Sequence, residues 1–389
     1  MSWLFQESRI GLESVFLILF AMMMLILGVV LLTLPTGTIG YSAFGFYGVT
    51  LFLFGFQIIS LGKTPIGDAK QSPLVFGAGL AVSILGIILC FTNSVPEFIP
   101  KYLIAGILFV SGIVLLIQMF VSKNLYPLWK KSGDPLLMRL ALLCALVYIF
   151  DIIVAVFIFL DAIIPLVVKS VFALLFGILL LLFTVIRHKT DLKYPLSSQS
   201  KSIGLNIISI LIFAVYLIVL GVLLIYSGLS PIAITGSSQL GLMMVIFAIQ
   251  TIAIGSTPIG PFKRTHLIVI IGIVLGVIGI TAVFVPGVLD FTLTVLIGLL
   301  NIISAVLFFI KSIPPLIKSK EPMPKILKQI TVSSIIMNIM AFTFGLSMLI
   351  PNLIPGSVIV FVLIIFGCLI LYLVSRLVVA EKMSASETN

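Results

Sequence analysis

Long apolar runs alternate with short polar segments along the whole chain. Most runs reach about 20 residues, the length that a helix needs to cross the hydrocarbon core of a bilayer. The pattern therefore predicts an all-α membrane protein with twelve transmembrane helices. The predicted spans are Phe16–Leu34, Ala43–Leu61, Pro73–Phe91, Tyr102–Val121, Leu140–Leu160, Ile164–Ile186, Ile203–Tyr226, Leu240–Ile254, Leu267–Val285, Phe291–Ile310, Ile330–Ile350 and Pro355–Val374.

The polar segments between these runs alternate in charge. All of the 22 Lys and Arg residues except Lys101 and Lys169 lie in one alternate set of segments or at the termini. Cytoplasmic loops of membrane proteins are enriched in Lys and Arg. We therefore predict that both termini are cytoplasmic and that consecutive spans form hairpins whose tips face the outer side.

Part of the sequence recurs at a fixed spacing of 193 residues. The first copy of the recurring motif contains Gln57, Gly62, Thr64, Pro65 and Gly67, and the second contains Gln250, Gly255, Thr257, Pro258 and Gly260. Towards the end of each half the spacing becomes 190 residues, as between Pro165 and Pro355. We interpret residues 1–195 and 196–389 as two parallel six-helix repeats, each built from three hairpins.

The recurring motif falls in the predicted cytoplasmic segment after the second span of each half. Pro fixes its own φ angle and Gly tolerates positive φ, so Thr-Pro-Ile-Gly is typical of a turn. A functional alternative to a plain turn is a hinge or latch between hairpins. Gly67-Asp68-Ala69-Lys70 also resembles the Gly-, Asp- and basic-rich motif in the equivalent loops of major facilitator transporters. Gln57 and Gln250 lie just inside the membrane, where a Gln usually joins two helices through hydrogen bonds.

Asp151 lies near the middle of the fifth predicted span. A carboxylate at that depth is costly, and it is a candidate functional residue by default. Lys169 is the candidate cation on the outer side of the same hairpin, and the second copy has Ala341 and Ile359 at the two corresponding positions. The sequence therefore predicts an intramembrane Asp151–Lys169 pair. Such a pair would either hold the hairpin together or relay protons or ions.

The composition excludes most soluble functions. The chain is 61% hydrophobic and 9% charged, so its surface must be solvated by lipid. The net charge of +10 comes from short clusters between the apolar runs, which favours anionic lipid over nucleic acid as the partner. The three cysteines lie inside apolar runs, and no catalytic or phosphate-binding motif is present. We expect no catalytic residue, no metal and no cofactor, and the sequence leaves oligomeric partners open.

Each hairpin has a Gly, an apolar stretch, a Pro at the outer turn and a returning helix with further Gly. Gly28 to Pro35, returning through Gly48 and Gly55, is one instance. This arrangement resembles the acid-resistance membrane protein (HdeD) family, in which three such hairpins form one short chain. The present chain resembles a tandem duplication of that unit. The resemblance implies a non-enzymatic, stress-related or structural protein of a prokaryotic plasma membrane.

Two alternatives remain. The six-plus-six duplication and the paired loop motifs are also typical of a secondary transporter for a small solute. A membrane anchor subunit of a larger complex is the third hypothesis. A polar cavity between the halves would favour transport, whereas a closed bundle packed through glycine would favour a structural role.

Overall fold

The computed structural model describes residues 3–8, 10–37, 39–61, 63–64, 67–68, 72–121, 133–194, 205–229, 236–254, 256–257, 260–261, 264–318, 325–350 and 353–387. Within these ranges the fold is all-helical apart from four strands of two residues each. Its α-helices are α1 (Leu12–Thr33), α2 (Ala43–Leu61), α3 (Pro73–Phe91), α4 (Phe98–Val121), α5 (Pro135–Phe159), α6 (Leu166–Lys193), α7 (Leu205–Leu229), α8 (Gly236–Ile254), α9 (His266–Phe284), α10 (Asp290–Lys318), α11 (Lys325–Leu349) and α12 (Gly356–Glu387).

Each predicted span overlaps one of these helices, and the all-α prediction is confirmed. Helices α2 and α3 have the predicted bounds, whereas α10 and α12 continue past their apolar parts to Lys318 and Glu387. In the described part of the chain, nine helices are long and apolar enough to cross a membrane, and three more have shorter apolar stretches. This is the structure of a multi-pass membrane protein.

Helix starts follow from local sequence. Ser72 precedes Pro73, and its side-chain oxygen accepts a hydrogen bond from the backbone N–H of Val75 at 3.3 Å. Asp134 precedes Pro135 in the same way and accepts from the N–H of Leu136 at 2.9 Å. A polar N-cap followed by Pro starts a helix because Pro lacks the N–H that would remain unpaired there.

The closest helix pairs of the first six helices are α1–α6, α2–α3 and α4–α5. Among the last six helices the closest pairs are α7–α12, α8–α9 and α10–α11. Between the two sets, α1 and α2 contact α9, while α3 contacts α7 and α8. The helices at the centre of the bundle are thus α1, α2, α3, α7, α8 and α9.

Glycines allow the paired helices to approach closely. A Cβ built on Gly28 of α1 would lie 2.6 Å from Cγ of Leu174 in α6. A Cβ built on Gly221 of α7 would lie 2.5 Å from Cγ1 of Ile364 in α12. Small residues are the usual means of helix association in membranes, because lipid removes the hydrophobic driving force between helices.

The centre of the bundle is filled by large apolar side chains. Phe16, Phe52, Phe56, Tyr216 and Phe284 are each at most 1% exposed. Side chains on the outer surface of the bundle are also apolar, since Phe291 is 83% exposed and Leu74 is 79% exposed. An apolar interior with an apolar exterior is what contact with lipid requires.

The strands form two short hairpins. Strand β1 (Lys63–Thr64) pairs antiparallel with β2 (Gly67–Asp68), and β3 (Ser256–Thr257) pairs with β4 (Gly260–Pro261). In each hairpin a Thr lies opposite a Gly: Thr64 opposite Gly67, and Thr257 opposite Gly260. Each hairpin follows the second helix of its half.

Candidate functional site

A cavity of about 260 Å³ lies among α1, α2, α4, α5 and α6, beside the turns that precede α2, α4 and α6. We call it the Lys101–Lys169 pocket. Its inner wall is apolar and its mouth is polar. The inner wall includes Met24, Leu27, Leu31, Val154, Phe157, Ile158, Phe172 and Ala173, and the mouth includes Tyr41, Glu97, Lys101, Asp161 and Lys169.

Asp161 joins the two lysines at the mouth. Its Oδ2 atom accepts a hydrogen bond from Lys101 Nζ at 2.8 Å, and its Oδ1 atom accepts one from Lys169 Nζ. Lys169 Nζ also donates to the backbone oxygen of Asp161 at 2.6 Å. The Lys101 and Lys169 side chains are 19% and 17% exposed, whereas Asp161 is 49% exposed. One carboxylate therefore partly neutralises two largely buried ammonium groups.

The placement of these charges follows from the helix ends. Lys101 and Lys169 lie in the first turns of α4 and α6, and Asp161 lies in the tight turn between α5 and α6. A cation near a helix N-terminus is disfavoured by the helix dipole, so both lysines gain from a nearby carboxylate. Partial burial raises the pKa of Asp161, but the hydrogen bonds from the two lysines outweigh it and hold that pKa below its ordinary value.

Tyr41 contributes a hydroxyl group at the mouth. It lies just before α2, outside the helices, and its side chain is half-buried. Burial raises the pKa of Tyr41, and the charges of Asp161 and Glu97 act in the same direction. The hydroxyl therefore keeps its proton and is available as a hydrogen-bond donor.

The structure does not bring Lys169 to Asp151, and this corrects the predicted pair. Lys169 binds Asp161 instead. Asp151 lies half-buried within α5, two turns before the helix end, whereas Lys169 is only one turn inside α6. A Lys side chain near a helix end reaches towards the membrane surface rather than the membrane centre. Relative to Lys169, Asp161 lies towards the membrane surface, and Asp151 lies towards the membrane centre.

Among the described residues of the recurring motif, none lines this pocket. Thr64, Gly67, Thr257 and Gly260 form the two strand pairs of the hairpins. Gln57 and Gln250 are half-buried near the ends of α2 and α8. The predictions for Gly62, Pro65, Gly255 and Pro258 fall outside the described residues.

Sequence reasoning missed the cluster at the mouth. Lys101 and Lys169 stand out as the two basic residues on the predicted outer side, and Asp161 lies in the tip of the hairpin that contains Lys169. These facts were a usable signal, because charges at the same membrane level tend to pair. The sequence did not indicate that Tyr41 and Glu97 join this cluster, since both lie in segments far from Asp161.

The described residues include no cluster of three or more His, Cys, Asp or Glu side chains that could hold a metal ion. The polar groups that line the Lys101–Lys169 pocket can pair charges and form hydrogen bonds. Its mouth offers ammonium and hydroxyl donors together with carboxylate acceptors. Such a set suits the binding of a polar headgroup.

No protein-family model matches this chain, and comparisons with curated proteins and with solved structures likewise find no match.

Proposed function

We propose that this chain is a non-enzymatic, multi-pass membrane protein with a structural role, built from two parallel six-helix repeats, residues 1–195 and 196–389. Both termini would be cytoplasmic, in the plasma membrane of a prokaryote. The observation that carries the structural role is the closed, apolar contact between the first six helices and the last six.

This contact is made by buried aromatic side chains. The ring centroids of Phe46 and Phe284 are 5.9 Å apart, and those of Phe91 and Tyr216 are 5.8 Å apart. Each of these four side chains is at most 5% exposed. A Cβ built on Gly45 of α2 would clash with the backbone oxygen of Val283 in α9. A transporter of alternating-access type needs a solvated path between its halves, and this packing supports a closed bundle instead.

The N-terminal segment adds polar contacts between the halves. The Trp3 ring stacks on His266 with centroids 4.6 Å apart, and the backbone N–H of Ser8 donates to the carbonyl oxygen of Arg264 at 2.8 Å. The Arg264 side chain in turn donates to the backbone oxygen of Ile10. These bonds tie the start of the chain to the segment that begins α9, and relative motion of the halves would break them.

Recurring contacts support the repeat. A Cβ on Gly79 would lie 2.8 Å from Cγ1 of Ile59, and a Cβ on Gly272 would lie 2.5 Å from Cγ1 of Ile252. Both members of the second pair are 193 positions after those of the first. Matching contacts at matching positions are expected of a duplicated fold. The HdeD-like, stress-related role rests on the sequence resemblance and is our proposal for the physiological function.

A secondary transporter is the second candidate, and one observation favours it. Asp151 precedes Val154 and Ile158 by three and seven positions on α5, so the three residues share one helix face. Val154 and Ile158 line the Lys101–Lys169 pocket. A half-buried carboxylate one turn beyond the inner wall of a cavity with a polar mouth is an arrangement that proton-coupled carriers use.

Cysteine accessibility distinguishes the two candidates. Ala248 and Val283 are fully buried at the centre of the bundle. In a variant without Cys90, Cys144 and Cys368, a single cysteine at either position should not react with a membrane-impermeant thiol reagent. A cysteine at Asn93, in the exposed turn before α4, should react and serves as the control. Reaction of Ala248→Cys in vesicles under an imposed ion gradient would contradict the closed bundle and support transport.

A further inference from the structure

We propose that the Lys101–Lys169 pocket binds a single zwitterionic phospholipid with a primary amine, such as a phosphatidylethanolamine. In this arrangement the lysines hold the phosphate, Glu97 faces the ammonium group, and the first part of one acyl chain occupies the apolar inner wall. This site does not depend on the structural role proposed above.

The lysines supply the phosphate-binding groups. Each ammonium group has three N–H donors. Among the described residues, Lys101 has one acceptor on Asp161, and Lys169 has two on the same residue. Donors therefore remain on both ammonium groups, which line the cavity and are more than four-fifths buried. Buried donors require partners, and a phosphate oxygen is a strong one for an ammonium group. The protonated Tyr41 hydroxyl lies at the same mouth.

The charge balance favours a headgroup that is neutral overall. In the part of the chain that the structure describes, the mouth holds two cations, Lys101 and Lys169, and two anions, Asp161 and Glu97. Asp161 is bound by the lysines, while Glu97 is exposed at the rim. A phosphate alone would satisfy the lysines but would be repelled by Glu97. A headgroup with both a phosphate and an ammonium complements both sides of the mouth.

The remainder of the cavity is suited to an acyl chain. Below the mouth its walls are aliphatic and aromatic, from α1, α5 and α6. Phe172 packs on Phe157 with ring centroids 4.9 Å apart, so this wall is aromatic. The cavity volume of about 260 Å³ lies just below the roughly 300–1,000 Å³ of common small-molecule sites, so it holds a headgroup and part of one chain.

The second half lacks the same site. The positions that correspond to Lys101 and Lys169 are Thr294 and Ile359, so neither ammonium group is present there. The residue that corresponds to Glu97 is Asp290, and it accepts a hydrogen bond from Ser237. We therefore infer one lipid site in each chain.

The test measures thermal stability of the full-length, delipidated protein in detergent against four added compounds. These compounds are dioctanoyl phosphatidylethanolamine, dioctanoyl phosphatidate, dioctanoylglycerol and free phosphoethanolamine. Dioctanoyl phosphatidylethanolamine should raise the melting temperature most, in a saturable way, and native mass spectrometry should detect one bound lipid. If dioctanoylglycerol raises the melting temperature as much as dioctanoyl phosphatidylethanolamine does, the proposal is overturned, because dioctanoylglycerol lacks the headgroup.

Three variants locate the binding site. Lys101→Met should weaken the apparent affinity for the lipid by roughly tenfold or more, because it removes a charge-assisted hydrogen bond. Glu97→Gln should reduce the preference for phosphatidylethanolamine over phosphatidate. Val154→Phe should fill the apolar part and weaken lipid binding while both lysines remain. Lys189→Met, which removes an exposed Lys from the other end of α6, is the matched control and should bind as the wild type does.

Specific outcomes would overturn the proposal. If Val154→Phe binds the lipid as the wild type does, the acyl chain is not in the cavity. If free phosphoethanolamine stabilises the protein as strongly as the lipid does, the site takes a soluble headgroup instead. If Lys101→Met does not fold, Val154→Phe and Glu97→Gln decide the question, because both retain the Asp161 ion pairs.

Discussion

Gly86 of α3 lies directly against Gly48 of α2: a Cβ built on Gly86 would be 2.6 Å from the Gly48 carbonyl oxygen. Gly279 of α9 and Gly241 of α8 have the same relationship, also at 2.6 Å. Contacts this short leave no room for a methyl group. Both helix pairs therefore depend on glycine at these positions, as close helix packing in membranes commonly does.

The first prediction follows from this contact. Gly86→Ala and Gly279→Ala should each destabilise the protein by about 1–3 kcal/mol, because the neighbouring backbone must move apart. Gly77→Ala is the matched control in α3, since nothing lies within 4 Å of a Cβ built there. Because Ala favours helix, the control should be neutral or stabilising by up to about 1 kcal/mol. Unfolding in mixed micelles measures the differences, and equal effects at Gly77 and Gly86 would contradict the packing.

The second prediction concerns the partner of Lys169. A double-mutant cycle with Asp161→Asn and Lys169→Met should give a coupling free energy of about 0.5–1 kcal/mol, reduced by the partial exposure of Asp161. The parallel cycle with Asp151→Asn and Lys169→Met should give none, because Lys169 binds Asp161. Thermal unfolding in detergent provides both cycles. Coupling confined to Asp151 would restore the pair expected from sequence.

The third prediction concerns acid stability. Hydrogen bonds from Lys193 at 2.7 Å and from Tyr194 at 2.5 Å, with one from the Leu136 backbone, lower the pKa of Asp134 from 3.8 to about 2. Because the pKa of Asp134 is lower in the folded protein, these hydrogen bonds stabilise the folded state above about pH 4. That stabilisation is lost as the pH falls towards 2. The melting temperature of wild type should therefore fall more steeply over this interval than that of Asp134→Asn.

The control for this measurement is Asp191→Asn. Asp191 pairs with Arg187 on α6. Asp191→Asn removes one negative charge, as Asp134→Asn does, so the two variants have the same net charge. If the melting temperatures of wild type and Asp134→Asn fall equally steeply with pH below about pH 4, Asp134 does not cause the acid sensitivity.

The fourth prediction concerns orientation. In the cysteine-free background, a cysteine at Asn93 should be labelled from outside intact cells, and one at Lys189 should not. Both positions are exposed, so access rather than burial decides the result. The expectation rests on the predicted topology, which places all basic residues except Lys101 and Lys169 on the side of Lys189. The opposite labelling pattern would invert the topology.

Hydropathy was enough to locate the helices. The predicted and observed bounds of α2 and α3 coincide, because an apolar run in a bilayer has no alternative to a helix that satisfies its own hydrogen bonds. The helix ends were less predictable. Helix α10 continues to Lys318, although its apolar part ends at Ile310.

What the sequence alone determined is therefore the helical class, the position of each helix and the recurrence of glycines such as Gly48 and Gly241. These depend on local composition and spacing. Only the tertiary structure decided that Lys169 binds Asp161, and that Lys101, Glu97 and Tyr41 join them around one cavity. Ion pairs require contact within a few ångströms, and which helices meet, and at which rotation, depends on packing over the whole bundle.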